Sequence, residues 1–211
     1  YLHESEKMSF SSSGSVTTAD GRVINFNLSF HVSREFIREE TLSIRAGDAL
    51  IDPLVINFKN ASATLGDRNY SFDIDLDGNP DTIAFTGYGS GFLALDLNNN
   101  GIIDDGSELF GPRSGNGFEE LAEWDQDKNG WIDENYEIFS RLRIWTLDEA
   151  GNKTLLALGQ AGIGAIYLGN VRSEFGLKTE TNEQLGQIRS SGIFLKETGE
   201  AGTIQHVDLA I

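Results

Sequence analysis

Residues 96–137 read DLNNNGIIDDGSELFGPRSGNGFEELAEWDQDKNGWIDENYE, and one acidic pattern occurs in them twice. Asp96-Leu97-Asn98-Asn99-Asn100-Gly101-Ile102-Ile103-Asp104-Asp105-Gly106-Ser107-Glu108 and Asp125-Gln126-Asp127-Lys128-Asn129-Gly130-Trp131-Ile132-Asp133-Glu134-Asn135-Tyr136-Glu137 agree position by position. Side-chain oxygens at positions 1, 3 and 5 converge on one point when the backbone wraps around it, and glycine at 6 permits the sharp turn. The carbonyl at 7, from Ile102 or Trp131, supplies the next oxygen, and Asp104 and Asp133 at 9 bind directly or through water. Ile103 and Ile132 at 8 are placed to pin each loop to a core. An all-oxygen set of this kind suits Ca2+, which accepts roughly six to eight oxygens in flexible geometry. Magnesium demands a tight octahedron, and zinc prefers nitrogen or sulfur.

The loops depart from the standard twelve-residue EF-hand in one respect. Its bidentate glutamate stands at position 12, where this chain has Ser107 and Tyr136; the acid follows one residue later, as Glu108 and Glu137. Both copies shift by the same step, so the offset reads as shared geometry. It points to a structural site rather than a sensor that opens a helix pair. A third candidate, Asp73-Ile74-Asp75-Leu76-Asp77-Gly78-Asn79-Pro80-Asp81, has acids at 1, 3, 5 and 9 and glycine at 6 but no distal glutamate. It reads either as a further calcium loop or as a solvated hairpin turn.

The composition agrees with a cation as partner. Among 211 residues, 33 acidic side chains face 16 basic ones, a formal charge of −17, which disfavours nucleic acid or an anionic membrane surface. With 0 Cys there are no disulfides, no thiol chemistry and no cysteine metal sites. No apolar run approaches a membrane span, and nothing resembles a signal peptide. Because Tyr1 precedes an internal-looking Met8, the sequence reads as part of a larger chain, whose other domains are expected partners. Its compartment stays open, a secreted or cell-surface bacterial setting being one option.

The expected fold class is α+β, mainly β, with 24 Gly against 3 Pro marking many tight turns. Ile24, Phe26, Leu28, Phe30 and Val32 alternate with polar residues, the period of a half-buried strand, and Ala19-Asp20-Gly21 reads as a hairpin turn before it. A long hairpin is therefore predicted within residues 1–50, with a third strand around Thr41 to Arg45, ahead of a calcium-binding region over 51–211. Further strands are predicted at Pro53 to Phe58, Tyr70 to Asp75, Thr82 to Thr86 and Arg143 to Leu147, then near Gly164 to Leu168, Gln187 to Leu195 and Thr203 to Ile211. Short helices are predicted around Phe118 to Trp124 and Tyr136 to Leu142.

The runs LDLNNNGIIDDGSELFG and GFEELAEWDQDKNGWIDENYEIFSRLRIW, with DPLVINF and FDIDLDGNPD, resemble a module of large bacterial RTX-type and related calcium-binding proteins. The likeness covers about residues 51 to 170. It implies that the loops bind calcium and order the domain. In some members an Asp-Pro bond at the start of the module breaks in a calcium-dependent way, and Asp52-Pro53 stands at that place here. The acidic segment expected after the bond is replaced by Asn57-Phe58-Lys59-Asn60. Asp52-Pro53 thus has two readings, a cleavage site and a proline that opens a strand.

Other chemistry is weaker. Gly87-Tyr88-Gly89-Ser90-Gly91 lacks phosphate-loop spacing and reads as a turn. Glu119 and Glu123 read as a solvated helix face rather than a glycosidase pair. His3, His31 and His206 have no ligand spacing and read as surface or strand residues. Trp124, Trp131 and Trp145 read as packing rather than a sugar platform. The leading expectation is a non-enzymatic module stabilised by two or three Ca2+ ions. Self-cleavage at Asp52-Pro53 is the enzymatic alternative, and an adhesion or interaction module built on the hairpin is the third.

Overall fold

A computed structural model describes residues 2–18, 21–38 and 50–211. The first two strands, β1 (Leu2–Thr17) and β2 (Val23–Arg38), form the expected long antiparallel hairpin, with Met8 opposite Val32 and Phe10 opposite Phe30. The Phe10 and Phe30 rings stack at 5.4 Å. Gly21 has the positive φ, 82°, that the predicted turn requires. Ala19, Asp20 and the third strand expected at Thr41 to Arg45 lie outside the described residues.

The chain continues as β3 (Leu50–Ile51), β4 (Leu54–Asn57), β5 (Leu65–Phe72), β6 (Asp81–Thr86) and β7 (Ser90–Ala94). Then come α1 (Gly117–Ala122), β8 (Trp131–Asp133), α2 (Glu137–Arg141), β9 (Arg143–Leu147) and β10 (Lys153–Ala157). It closes with β11 (Ile163–Lys178), β12 (Gln184–Lys196) and β13 (Ala201–Ala210). Among the described residues nine strands join one antiparallel sheet in the order β10-β9-β7-β4-β13-β12-β11-β8, with β3 also paired to β13. β5 and β6 form a separate hairpin.

Alternation along the central strands sends neighbouring side chains to opposite faces of this sheet. Val55, Phe92, Trp145 and Val207 join a cluster with Met8, Phe10 and Phe30 of the first hairpin and Phe72, Ile83 and Phe85 of the second. Trp145 is its hub, meeting Phe85 edge-on at 4.8 Å. The residues between them, Leu54, Ile56, Leu93, Ile144 and Phe194, pack with Phe118 and Leu121 of α1 and with Ile138 and Leu142 around α2. The sheet is thus covered by hairpins on one side and short helices on the other. The hairpin shares its apolar core with residues of the 51–211 region.

The described residues are mainly β, with two short α-helices among them where they were predicted. Three details differ from the sequence reading. The strand expected to run from Tyr70 to Asp75 begins at Leu65 and stops at Phe72, which leaves Asp73 to open a loop. The strand expected near Gly164 to Leu168 extends to Lys178 by way of irregular register shifts, which its low apolar alternation conceals. β3, β8 and β10 were not anticipated; β3 is only two residues long, and β8 is three residues long inside a loop read for its ligands.

Candidate functional site

The three acidic loops share one backbone. The residue at position 4 is left-handed in each, Leu76, Asn99 and Lys128 at φ 65°, 58° and 57°. The glycine at position 6 is left-handed too, Gly78, Gly101 and Gly130 at 88°, 85° and 81°. Two such reversals within three residues curl the chain so that side chains 1, 3 and 5 face inward. The same hydrogen bonds hold all three curls. The carboxylate at 1 accepts from the N–H at 6: Asp73 from Gly78 at 3.1 Å, Asp96 from Gly101 at 2.8 Å and Asp125 from Gly130 at 2.8 Å. Position 3 accepts from the N–H at 5, through Asp75, Asn98 and Asp127. Position 5 accepts from the N–H at 7, through Asp77, Asn100 and Asn129. Each bond occupies one lone pair and leaves the rest of each oxygen available to a cation.

The loops differ beyond position 7. In the first, Asp104 accepts from the side-chain amides of Asn98 and Asn100 at 2.8 and 2.7 Å. Glu108 is buried and gives its two oxygens to the N–H groups of Leu97 and Asp104, so it ties the two ends of the loop together. The Ile102 side chain is exposed and Ile103 is buried, the arrangement expected of positions 7 and 8. In the second, Ile132 is fully buried opposite Ile166. Glu137 is exposed at the start of α2, and the buried Tyr136 reaches into the loop instead, its hydroxyl 2.6 Å from Asp127 and 3.2 Å from Asp125. Asp133 caps Asn135, and the Trp131 ring packs 4.8 Å from Tyr167.

In the third loop Asp73, Asp75 and Asp81 each bring one oxygen to within 4.8 Å of the others. Burial, followed by the charges of Asp75, Asp77 and Asp73, raises Asp81 above the usual carboxylate range despite an Ile74 backbone N–H. Asp73 Oδ1 and Asp81 Oδ2 are buried without a hydrogen-bond partner. Such a convergence of acids fits a hard divalent cation. The Asn79 side-chain amide donates to Asp77 at 3.1 Å. This loop also braces the first, for the Gly106 N–H bonds the Asp73 carbonyl at 2.8 Å and a β-carbon on Gly106 would stand 2.1 Å from the Ile74 oxygen.

A second group surrounds Asp52-Pro53. β3 and β4 both pair with β13, Ile51 opposite Leu209 and Leu54 opposite His206, and the Asp52-Pro53 bond is the step between them. The Val207 N–H still reaches the Pro53 carbonyl at 3.0 Å. One ligand atom from each of Asp52, His206 and Asp208 falls within 4.8 Å of the others. Asp208 is 1% exposed and His206 9%. Arg189 donates to Asp208 Oδ2 at 2.9 Å. Burial, then a hydrogen bond and repulsion from Asp52, push the Asp208 carboxyl up to about 8 against the pull of Arg189. Burial lowers His206, opposed by the Asp52 charge and a hydrogen bond with the Asp52 backbone. Asp208 Oδ1 has no hydrogen-bond donor among the described residues, so its approach to the Asp52 carboxyl is favoured by a proton on one of the two acids.

Gly111, at φ 121°, roofs this group; a β-carbon there would stand 1.8 Å from the Asp52 carbonyl oxygen. Buried Glu120 of α1 holds the roof, accepting from the Gly111 N–H at 3.0 Å, the Ser114 N–H at 3.0 Å and the Ser114 hydroxyl at 2.7 Å. Glu119 and Glu123 are exposed, as expected of a solvated face.

Three of these side chains escaped the sequence reading. Ile204, His206 and Asp208 alternate with Gln205 and Val207, which sends the histidine and the acid to the face occupied by Ile204. Glu120 lies between Phe118 and Leu121 on a helix too short to declare its inward face. His3 and His31 bond Glu35 and Ser9 in exposed positions. No helix of the described residues is long and apolar enough to cross a membrane.

The model of one protein family, the SPM domain, matches residues 55–210, from within β4 through β13. The first hairpin and the Asp52-Pro53 step lie before the matched region.

Proposed function

The chain belongs to the SPM domain family, and we propose that it acts as a calcium-binding structural module of a larger bacterial protein, one related to RTX-type proteins. The observation that carries this reading is the repetition of one cation-ready curl at Asp73, Asp96 and Asp125, with the same two left-handed positions and the same three hydrogen bonds. Two or three Ca2+ ions would neutralise carboxylates that otherwise repel, and binding to the folded chain alone would add to its stability. A site held at a hundred times its dissociation constant contributes about 2.7 kcal/mol, or about 5 to 10 °C in melting temperature for a domain of this size. Melting in excess calcium and in EDTA tests the reading, and identical midpoints overturn it.

A second reading is favoured by the burial of Asp52 against His206, Asp208 and the Gly111 roof. In it the Asp52 carboxylate attacks its own carbonyl carbon to close a cyclic anhydride, and the bond to the Pro53 nitrogen breaks. Water then opens the anhydride; its elements end on the Asp52 carboxyl and the Pro53 amine. Incubation with calcium followed by N-terminal sequencing looks for a fragment that begins at Pro53, and an intact chain after prolonged incubation removes this reading.

A further inference from the structure

We propose that Asp208 is a positioning residue for the Asp52-Pro53 bond, its carboxyl carrying the proton that the two acids share and holding the Asp52 carboxylate beside its own backbone carbonyl. The inference rests on the cleavage reading above. Two carboxylates whose oxygens lie within 4.8 Å of each other repel when both are ionised, and Arg189 compensates one negative charge, not two. Asp208 is 1% exposed whereas Asp52 is half-buried, so the charge is better solvated on Asp52 and the proton is better placed on Asp208. Arg189 also argues for a proton rather than a metal cation as the group that relieves the pair.

The surroundings restrict Asp52 further. A β-carbon on Gly115 would lie 3.4 Å from Asp52 Oδ2, so the roof loop covers that oxygen, while Gly111 presses on the carbonyl that would be attacked. His206 lies against the Asp52 backbone on the same face of β13. The charged or titratable groups around Asp208 and its neighbour His206 are Asp52 from the β3–β4 step, Arg189 from β12 and, on the His206 side, Glu120 from α1, the last with Arg113 at 3.9 Å. A carboxylate must sit close to its carbonyl and in line with it to react, and misplacement by about 1 Å costs about a hundredfold in rate.

The test follows the rate of the Pro53 fragment in saturating calcium over roughly pH 6 to 9. The wild-type rate is expected to fall as pH rises through about 8, where Asp208 gives up its proton. Asp208→Ala is expected to slow cleavage by about a hundredfold. Asp208→Asn, whose amide donates at every pH, is expected to restore cleavage and remove the alkaline fall. Circular dichroism verifies the fold of both variants, and the wild-type profile decides by itself if either misfolds. A wild-type rate that does not fall up to pH 9, or an Asp208→Asn profile that still falls, overturns the assignment alone. A wild-type chain that never yields the fragment overturns the cleavage reading and the assignment together.

Discussion

The Tyr136 hydroxyl donates to Asp127 at 2.6 Å and lies 3.2 Å from Asp125, so a neutral phenol stands at position 12 of the second loop, where an EF-hand carries a charged glutamate. That hydrogen bond is the first cause holding the Asp127 carboxyl below the usual carboxylate range. The same contact pushes the Tyr136 phenol far above its ordinary value.

Tyr136→Phe is therefore expected to return Asp127 toward an ordinary carboxylate value. A carboxylate lowered in the folded state contributes stability above its unfolded value and loses it as pH falls through the folded one. The calcium-free variant should accordingly be less stable than wild type at neutral pH and converge with it in acid. Carboxyl-detected NMR titration of Asp127 reads the shift, and an unchanged midpoint would show that the phenol does not govern it.

The third loop predicts the opposite sign. Asp81 is raised, so its ionisation opposes folding, and stability is greatest below the ordinary carboxylate range and declines as pH rises through the raised value. Without calcium, Asp81→Asn should gain up to about 1 kcal/mol at neutral pH, a solvent-screened figure equal to about 2 to 4 °C. With calcium the variant should gain less than wild type. Paired melts in EDTA and calcium check both halves, and an undiminished calcium increment would remove Asp81 from the ligand set.

Glu120 anchors the roof over Asp52 through three hydrogen bonds, and its loss has a defined cost. Glu120→Gln turns one acceptor into a donor that faces an N–H, at the cost of about 1 to 3 kcal/mol. Gly111→Ala should cost more, since its β-carbon meets the Asp52 carbonyl at 1.8 Å and its φ of 121° suits glycine. Urea denaturation measures both variants, and equal midpoints would mean that the roof is slack.

Ile132 ties the second loop to the sheet beneath it. Ile132→Ala should destabilise by about 2 to 5 kcal/mol, because the side chain is fully buried against β11 and leaves a cavity. It should also weaken calcium binding at that loop more than at the first, which isothermal titration against loop-specific variants resolves.

Much of the fold was legible because two periodicities were clean. The alternation from Ile24 to Val32 gave the hairpin, and the spacing of Phe118, Leu121 and Ala122 gave α1. The loops were legible because glycine marks a left-handed turn, whereas Leu76, Asn99 and Lys128, equally left-handed, carry no such mark. The Asp52 group was not legible, since its members lie at 52, 111, 120, 189, 206 and 208 and meet only through strand pairing and the packing of the α1 roof loop. Tyr136 was read as a gap in the ligand pattern because a sequence does not say which way a phenol turns.

The strand that completes this group is β13, which is central in the sheet, between β4 and β12, yet the last of the described strands in sequence. A chain that leaves a ribosome or a secretion channel from its N-terminal end therefore delivers Asp52 and Pro53 roughly 150 residues before the partners that enclose them. Until residues 201–210 emerge, the half-sheet ending at β4 has an open edge and no His206 or Asp208 beside the bond. Whatever this corner does waits until residues 201–210 have emerged and paired with β4.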